Sequence, residues 1–271
     1  MKNIKTQQLM ARIQEHLDVV YIHGENEALT KRLIQIMRLD EFCFTPLHQH
    51  NHWTEHDIAV ITYGNSILQN GESPLKTLYH FLHQHLHDFI NTIHILPFFP
   101  YCADDGFSVI DYKSVNQELG DWDDIDIISR DFRLMSDLVI NHCSKESEWF
   151  KQFERNEAPG KHFFITESPK TNLSDIVRPR TSPLLRETQT STDTKHVWCT
   201  FSHDQVDLNF KNPDVLCEIV SIIRYYLDHG VRIFRFDAVA FLWKKLGTNC
   251  INLPETHEIV RLLRTLIEHS Q

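Results

Sequence analysis

From residue 57 onward, short apolar runs alternate with longer stretches in which apolar residues recur every three or four positions. The runs over 58–62, 92–96, 133–140 and 231–236 are rich in β-branched and aromatic residues and predict four buried strands. The periodic stretches between and after them predict helices over 75–87, 122–131, 146–156, 213–229 and 255–270. The fourth of these is well punctuated. Asn212 can cap it, Pro213 suits its first turn and Gly230 can end it.

Two regions break the rhythm. Residues 1–52 carry no strand signal and predict two helices, over 4–20 and 26–39, with Leu33, Ile34 and Met37 at helical spacing. A polar connector, His48 to Trp53, follows. Residues 158–204 hold Pro159, Gly160, Pro169, Pro179 and Pro183 among many polar residues, and they predict a long irregular insertion of the kind that carries function. Alternating strands and helices imply parallel βα units. The predicted class is α/β: the first half of a (β/α)8 TIM barrel, over 53–157 and 205–271. A lobe (158–204) is inserted after the third strand, and a helical extension (1–52) precedes the barrel. Catalytic groups in such a barrel lie just past the C-terminal ends of its strands.

Composition removes several classes. The formal net charge of −10 argues against nucleic acid or an anionic membrane as partner. The first residues lack an apolar signal core, and no apolar run approaches the roughly 20 residues that span a bilayer. The six cysteines, Cys43, Cys102, Cys143, Cys199, Cys217 and Cys250, form no CxxC pair and read as reduced thiols in a cytoplasm. Histidines cluster twice, at His48, His50, His52 and His56 and at His80, His83, His85 and His87. Neither cluster has a cysteine or carboxylate frame, so both read as solvated surface, not metal ligands.

Three strings at predicted strand ends carry candidate chemistry. After the second strand, Pro97 to Phe107 sets Asp104 in an aromatic loop, where a carboxylate could hold sugar hydroxyls; by itself the string also fits a solvated turn. The third strand ends in Asp137-Leu138-Val139-Ile140-Asn141-His142, with Asp137, Val139 and Asn141 on one face. The fourth ends in Arg235-Phe236-Asp237, whose arginine and carboxylate share a face. An arginine beside a carboxylate favours its ionised, nucleophilic form, although a buried ion pair would look the same.

Taken in order, Asp137…Asn141-His142 and Arg235-Phe236-Asp237 resemble the first two catalytic segments of the α-amylase family of glycoside hydrolases. Ile61-Thr62-Tyr63 and His94-Ile95-Leu96-Pro97-Phe98-Phe99-Pro100 resemble its sucrose phosphorylase branch. So do Asp104 to Tyr112, Glu118 to Asp124, Arg178-Pro179-Arg180 and Gly247-Thr248-Asn249-Cys250. The resemblance implies a retaining mechanism with Asp237 as nucleophile and Arg235 orienting it. It implies that Asp104 and His142 bind glucosyl hydroxyls and that Phe107 is an aromatic platform. Gln205 would lie near the covalent intermediate. Arg180, assisted by Arg178, would meet inorganic phosphate, which a planar guanidinium can grip bidentately. Asp137 and Asn141 would be structural. The helical extension points to the glucosylglycerate phosphorylase branch, with sucrose, sucrose phosphate and glucosylglycerol as other donors. No cofactor is implied, and no calcium-loop spacing is present.

One departure stands out. The family's general acid, a glutamate, is expected after a fifth strand, and only Glu255, Glu258 and Glu268 follow Asp237, in or beside the last helix. The expectation is a truncated chain, incomplete for catalysis and prone to self-association through open sheet edges. The alternatives are an amylase-like hydrolase or transglycosylase, a half completed by a second polypeptide, and a silent remnant.

Overall fold

The computed structural model describes residues 2–22, 24–40 and 53–270. Four parallel strands form the central sheet: β1 (Ala59–Thr62), β2 (Thr92–Ile95), β3 (Arg133–Val139) and β8 (Val231–Asp237), in that order across the sheet. Successive strands are joined by helices, α3 (Pro74–His85) and α4 (Trp122–Asp131) between the first three and α6 (Pro213–Asp228) before the last. The helix α7 (Pro254–Glu268) follows β8. The two middle strands are almost wholly buried, whereas β1 and β8 expose part of their length, with Ile61 of β1 66% accessible.

Local sequence explains the element ends. Asp121 caps α4 in a reciprocal box with Asp124. The Asn212 side chain accepts from the Asp214 N–H at the start of α6, and Pro213 occupies the first turn. Gly230, at φ +80°, ends α6, and a Cβ there would fall 2.2 Å from Ser129 Oγ, so only glycine fits.

Between β3 and α6 the chain leaves the sheet. The short strand β4 (His142–Ser144) pairs antiparallel with β7 (Gln205–Asp207). Between them lie α5 (Glu148–Arg155) and a hairpin of β5 (Leu185–Gln189) and β6 (Thr194–Trp198). The stretch 158–204, predicted to be irregular, thus contains a hairpin. Its strands are polar and five residues long, with little apolar alternation. The turn is held by Thr190, whose hydroxyl donates to the Asp193 side chain at 2.8 Å.

Helices α1 (Lys2–Val20) and α2 (Asn26–Ile36) pack on α7 and α6 and share their core. Leu9, Ile13, Leu17 and Leu33 belong to the same buried apolar cluster as the sheet. His16 Nδ1 meets Glu258 of α7 at 2.5 Å, Arg32 meets Asp214 of α6 at 2.5 Å, and the Tyr21 hydroxyl donates to the Phe210 carbonyl at 2.8 Å. α2 stops at Ile36, short of the predicted 39, because Arg38 takes a left-handed φ of 55°.

Candidate active site

The carboxyl ends of β2, β3 and β8 bring the predicted residues together. Asp137 and Arg235 stand opposite each other in the β3–β8 register, as do Val139 and Asp237. Asp137 is fully buried, and its Oδ1 accepts from Arg235 Nη1. Arg235 Nη2 lies 3.1 Å from Asp237 Oδ1, and its Cζ sits 5.6 Å from the centre of the Phe107 ring. The arginine is therefore held between two carboxylates and an aromatic face.

Burial raises the pKa of the Asp237 carboxyl above its ordinary value. Arg235 lowers it, while the charges of Asp137 and Asp104 add to the rise. The arginine acts in the direction expected from the sequence, but burial outweighs it.

Asp104 opens a one-turn 3-10 segment after β2, with Asp104 and Asp105 at left-handed φ values of 58° and 50°. Strained backbone of this kind is sparsely populated and tends to occur at functional sites. Gly106 permits it, since a Cβ there would lie 2.7 Å from Pro97 Cβ. Gln205, at the start of β7, donates from Nε2 to Asp104 Oδ2 at 2.9 Å, and Arg180 Nη2 approaches Asp104 Oδ1 at 3.7 Å.

His142, at the start of β4, is buried, and burial lowers its pKa despite the nearby Asp207 charge. Lys244 Nζ donates to Asn141 Oδ1 at 2.7 Å, which turns the Asn141 amide nitrogen towards Asp207 Oδ2 (3.2 Å) and His142 Nδ1 (3.3 Å). Gln205 Nε2 lies 3.1 Å from His142 Nε2, which also lies 3.1 Å from the Phe107 carbonyl, so an amide nitrogen faces each nitrogen of the ring. Below the ring, the Tyr112 hydroxyl lies 2.8 Å from the carbonyls of both Val139 and His142.

Through the Gln205–His142 contact, Asp104, Phe107, His142, Arg180, Gln205, Arg235 and Asp237 form one connected set. Arg178 is placed differently: its Nη2 donates to Ser182 Oγ at 3.0 Å.

Two features escaped the sequence reading. Lys244, 5% exposed, pairs with the fully buried Asp207 at 2.6 Å, and Asp207 also accepts from the Thr200 backbone N–H (2.9 Å) and hydroxyl (2.5 Å). His94, 2% exposed on β2, lies 2.8 Å from Asp137 through Nε2. A lysine directly after the apolar run Phe241-Leu242-Trp243 was the one local hint of a buried cation.

Of the histidines on and beside α3, His80 faces Glu72 at 3.2 Å and His83 faces Asp131 at 3.1 Å. Among the described residues no group of three histidine, cysteine or acidic side chains is arranged to hold a metal ion. His48, His50 and His52 lie outside the described residues. The five described cysteines are free thiols, and no described helix is long and apolar enough to cross a membrane.

This fold and site define a class. Residues 84–271 match the family described as alpha amylase, catalytic domain, and the chain belongs to that family. Within it, the chain is similar to phosphorylases. It is 51% identical over 212 residues to a glucosylglycerate phosphorylase of Spirochaeta thermophila, covering 78% of this chain and 36% of that protein. It is 44% identical over 265 residues to one from Allomeiothermus silvanus, covering 97% and 46%. Among solved structures, sucrose 6F-phosphate phosphorylase from Thermoanaerobacter thermosaccharolyticum superposes with a TM-score of 0.74 at 26% identity, over 82% of this chain and 48% of that one. The chain spans less than half the length of these relatives.

Proposed function

We propose that the chain carries the glucosyl-binding half of a retaining α-glucoside phosphorylase, with Asp237 as nucleophile and glucosylglycerate as the preferred donor. The observation that carries this reading is the junction of Asp237–Arg235, through Phe107, with the Asp104–Gln205–His142 network at one sheet end. Asp237 attacks the anomeric carbon of a glucosyl unit held by Asp104, Gln205 and His142 against Phe107, and inorganic phosphate, met by Arg180, resolves the covalent intermediate. Arg178 assists through its hydrogen bond to Ser182 in the lobe. In this reading residues 1–52 are an extension, 53–157 and 205–271 are half of the barrel, and 158–204 are its inserted lobe.

A retaining mechanism needs a second carboxyl group as acid and base. Glu258 and Glu268 are engaged on α7 with His16 and Arg264. In this reading neither serves as the acid, which the complete barrel would supply. The similarity to glucosylglycerate phosphorylases supports the donor; the similarity to sucrose 6F-phosphate phosphorylase keeps a phosphorylated sugar as the second choice.

The test is phosphate release from α-glucose 1-phosphate with D-glycerate or fructose as acceptor, by the chain alone and with the remaining barrel supplied. Release that requires both parts and vanishes in Asp237→Asn is expected, with D-glycerate the better acceptor. Release unchanged by Asp237→Asn would remove the nucleophile assignment.

A further inference from the structure

We propose that His94 is a positioning residue that divides Arg235 between two carboxylates. By engaging Oδ2 of Asp137, it directs the arginine to Oδ1 there, and so favours Nη2 at Asp237.

The geometry is a chain across three adjacent strands. His94 Nε2 lies 2.8 Å from Asp137 Oδ2. Arg235 Nη1 donates to Asp137 Oδ1, and Nη2 reaches Asp237 Oδ1 at 3.1 Å. His94 Nδ1 is buried with no hydrogen-bond partner, so the ring's one polar engagement among the described residues is with Asp137. A lone carboxylate facing a guanidinium favours a bidentate fork, in which two nitrogens meet two oxygens. That fork would draw Nη2 from Asp237. With Oδ2 already accepting from a histidine N–H, a fork would have to share that oxygen, which weakens it and favours the second nitrogen at the site. A purely apolar side chain at position 94 would fill the space but release Oδ2.

The charged groups acting on Asp237 are Arg235 on its own strand, Asp137 on β3 and Asp104 after β2. If Nη2 withdraws, the two carboxylates act on Asp237 with less opposition, and its protonated form gains.

The test is the carbon-13 titration of the Asp237 carboxyl in the folded chain, assigned by its loss in Asp237→Asn. The variants are His94→Phe, which keeps a ring without a donor, His94→Gln, whose amide can donate in place of Nε2, and Asp137→Asn. We expect the titration to move to higher pH in His94→Phe, to stay near wild type in His94→Gln and to move to lower pH in Asp137→Asn. A His94→Phe curve that coincides with wild type would overturn the proposal. Should that variant fail to fold, an unshifted Asp137→Asn curve would overturn it instead.

A second readout rests on the nucleophile assignment above: covalent capture of 5-fluoro-α-glucosyl fluoride by the chain with the remaining barrel supplied, read as a mass increase. The Asp237 oxygen bonds to C1 as the C1–F bond breaks, and fluoride leaves with the electron pair, so no proton donor is needed. Capture should slow about tenfold or more in His94→Phe and recover in His94→Gln, as for loss of one hydrogen bond to a charged group. A shifted titration with no capture by any form would sink the nucleophile assignment and leave the role of His94 standing.

Discussion

Replacing Lys244 with methionine tests how this site is built. Lys244 is a buried cation whose ammonium serves Asp207 at 2.6 Å and Asn141 at 2.7 Å. Methionine keeps the apolar stem and removes the charge. Asp207 would then be a fully buried carboxylate without its cation, held only by Thr200 and Asn141. Removing one partner of a buried pair costs about 3–5 kcal/mol, a large part of the roughly 5–15 kcal/mol by which a domain is usually stable. Urea unfolding followed by tryptophan fluorescence would read the loss. The double variant Lys244→Met/Asp207→Asn removes the stranded charge and should recover at least about 1 kcal/mol, because Asn keeps an acceptor for Thr200. A single-variant loss below about 1 kcal/mol would refute the reasoning, since an uncompensated buried carboxylate cannot be that cheap. So would a double variant no more stable than the single one.

Other expectations follow from the same geometry. Because burial raises the folded pKa of Asp237, its charge costs stability at neutral pH and the cost fades as pH falls through that pKa; Asp237→Asn should be more stable than wild type at pH 7 and converge with it in acid, as read by thermal melts. His142 has the opposite sign. Its folded pKa is depressed, so its contribution is full above the ordinary value of 6.5 and is lost as pH drops below it; His142→Asn should blunt that acid loss. The free edge of β1 exposes Ile61, and Ile61→Lys should shift the purified chain towards monomer in sedimentation velocity without lowering its melting temperature by more than a few degrees.

Long elements were legible because their periodicity is local. Helix α6 could be bounded to a residue or two from Asn212, Pro213 and Gly230 alone, since each of these acts on the backbone beside it. The strands β4 and β7 were not legible, because three-residue strands carry no period and their pairing joins residues about sixty positions apart. The same limit applies to the site. Arg235 and Asp237 share a strand, and their two-residue spacing predicted their contact. The pairs Lys244–Asp207 and His94–Asp137 join separate elements, and nothing near either member announces the other. Residues such as Gln205 and Arg180 were named only by resemblance; their approach to Asp104 comes from the path of the excursion.

That excursion has a narrow neck. His142 and Gln205 stand at its two ends, and β4 pairs with β7 to close it. Whatever lies between Ser144 and Gln205 is thus a loop whose ends are already fastened. Lengthening such a loop is cheap, about 0.6 kcal/mol for each doubling. Evolution can therefore rebuild the interior of the excursion, Arg180 included, while the residues at the neck keep their places. If the proposed function holds, diversification on this scaffold would change what receives the sugar more readily than which sugar is held.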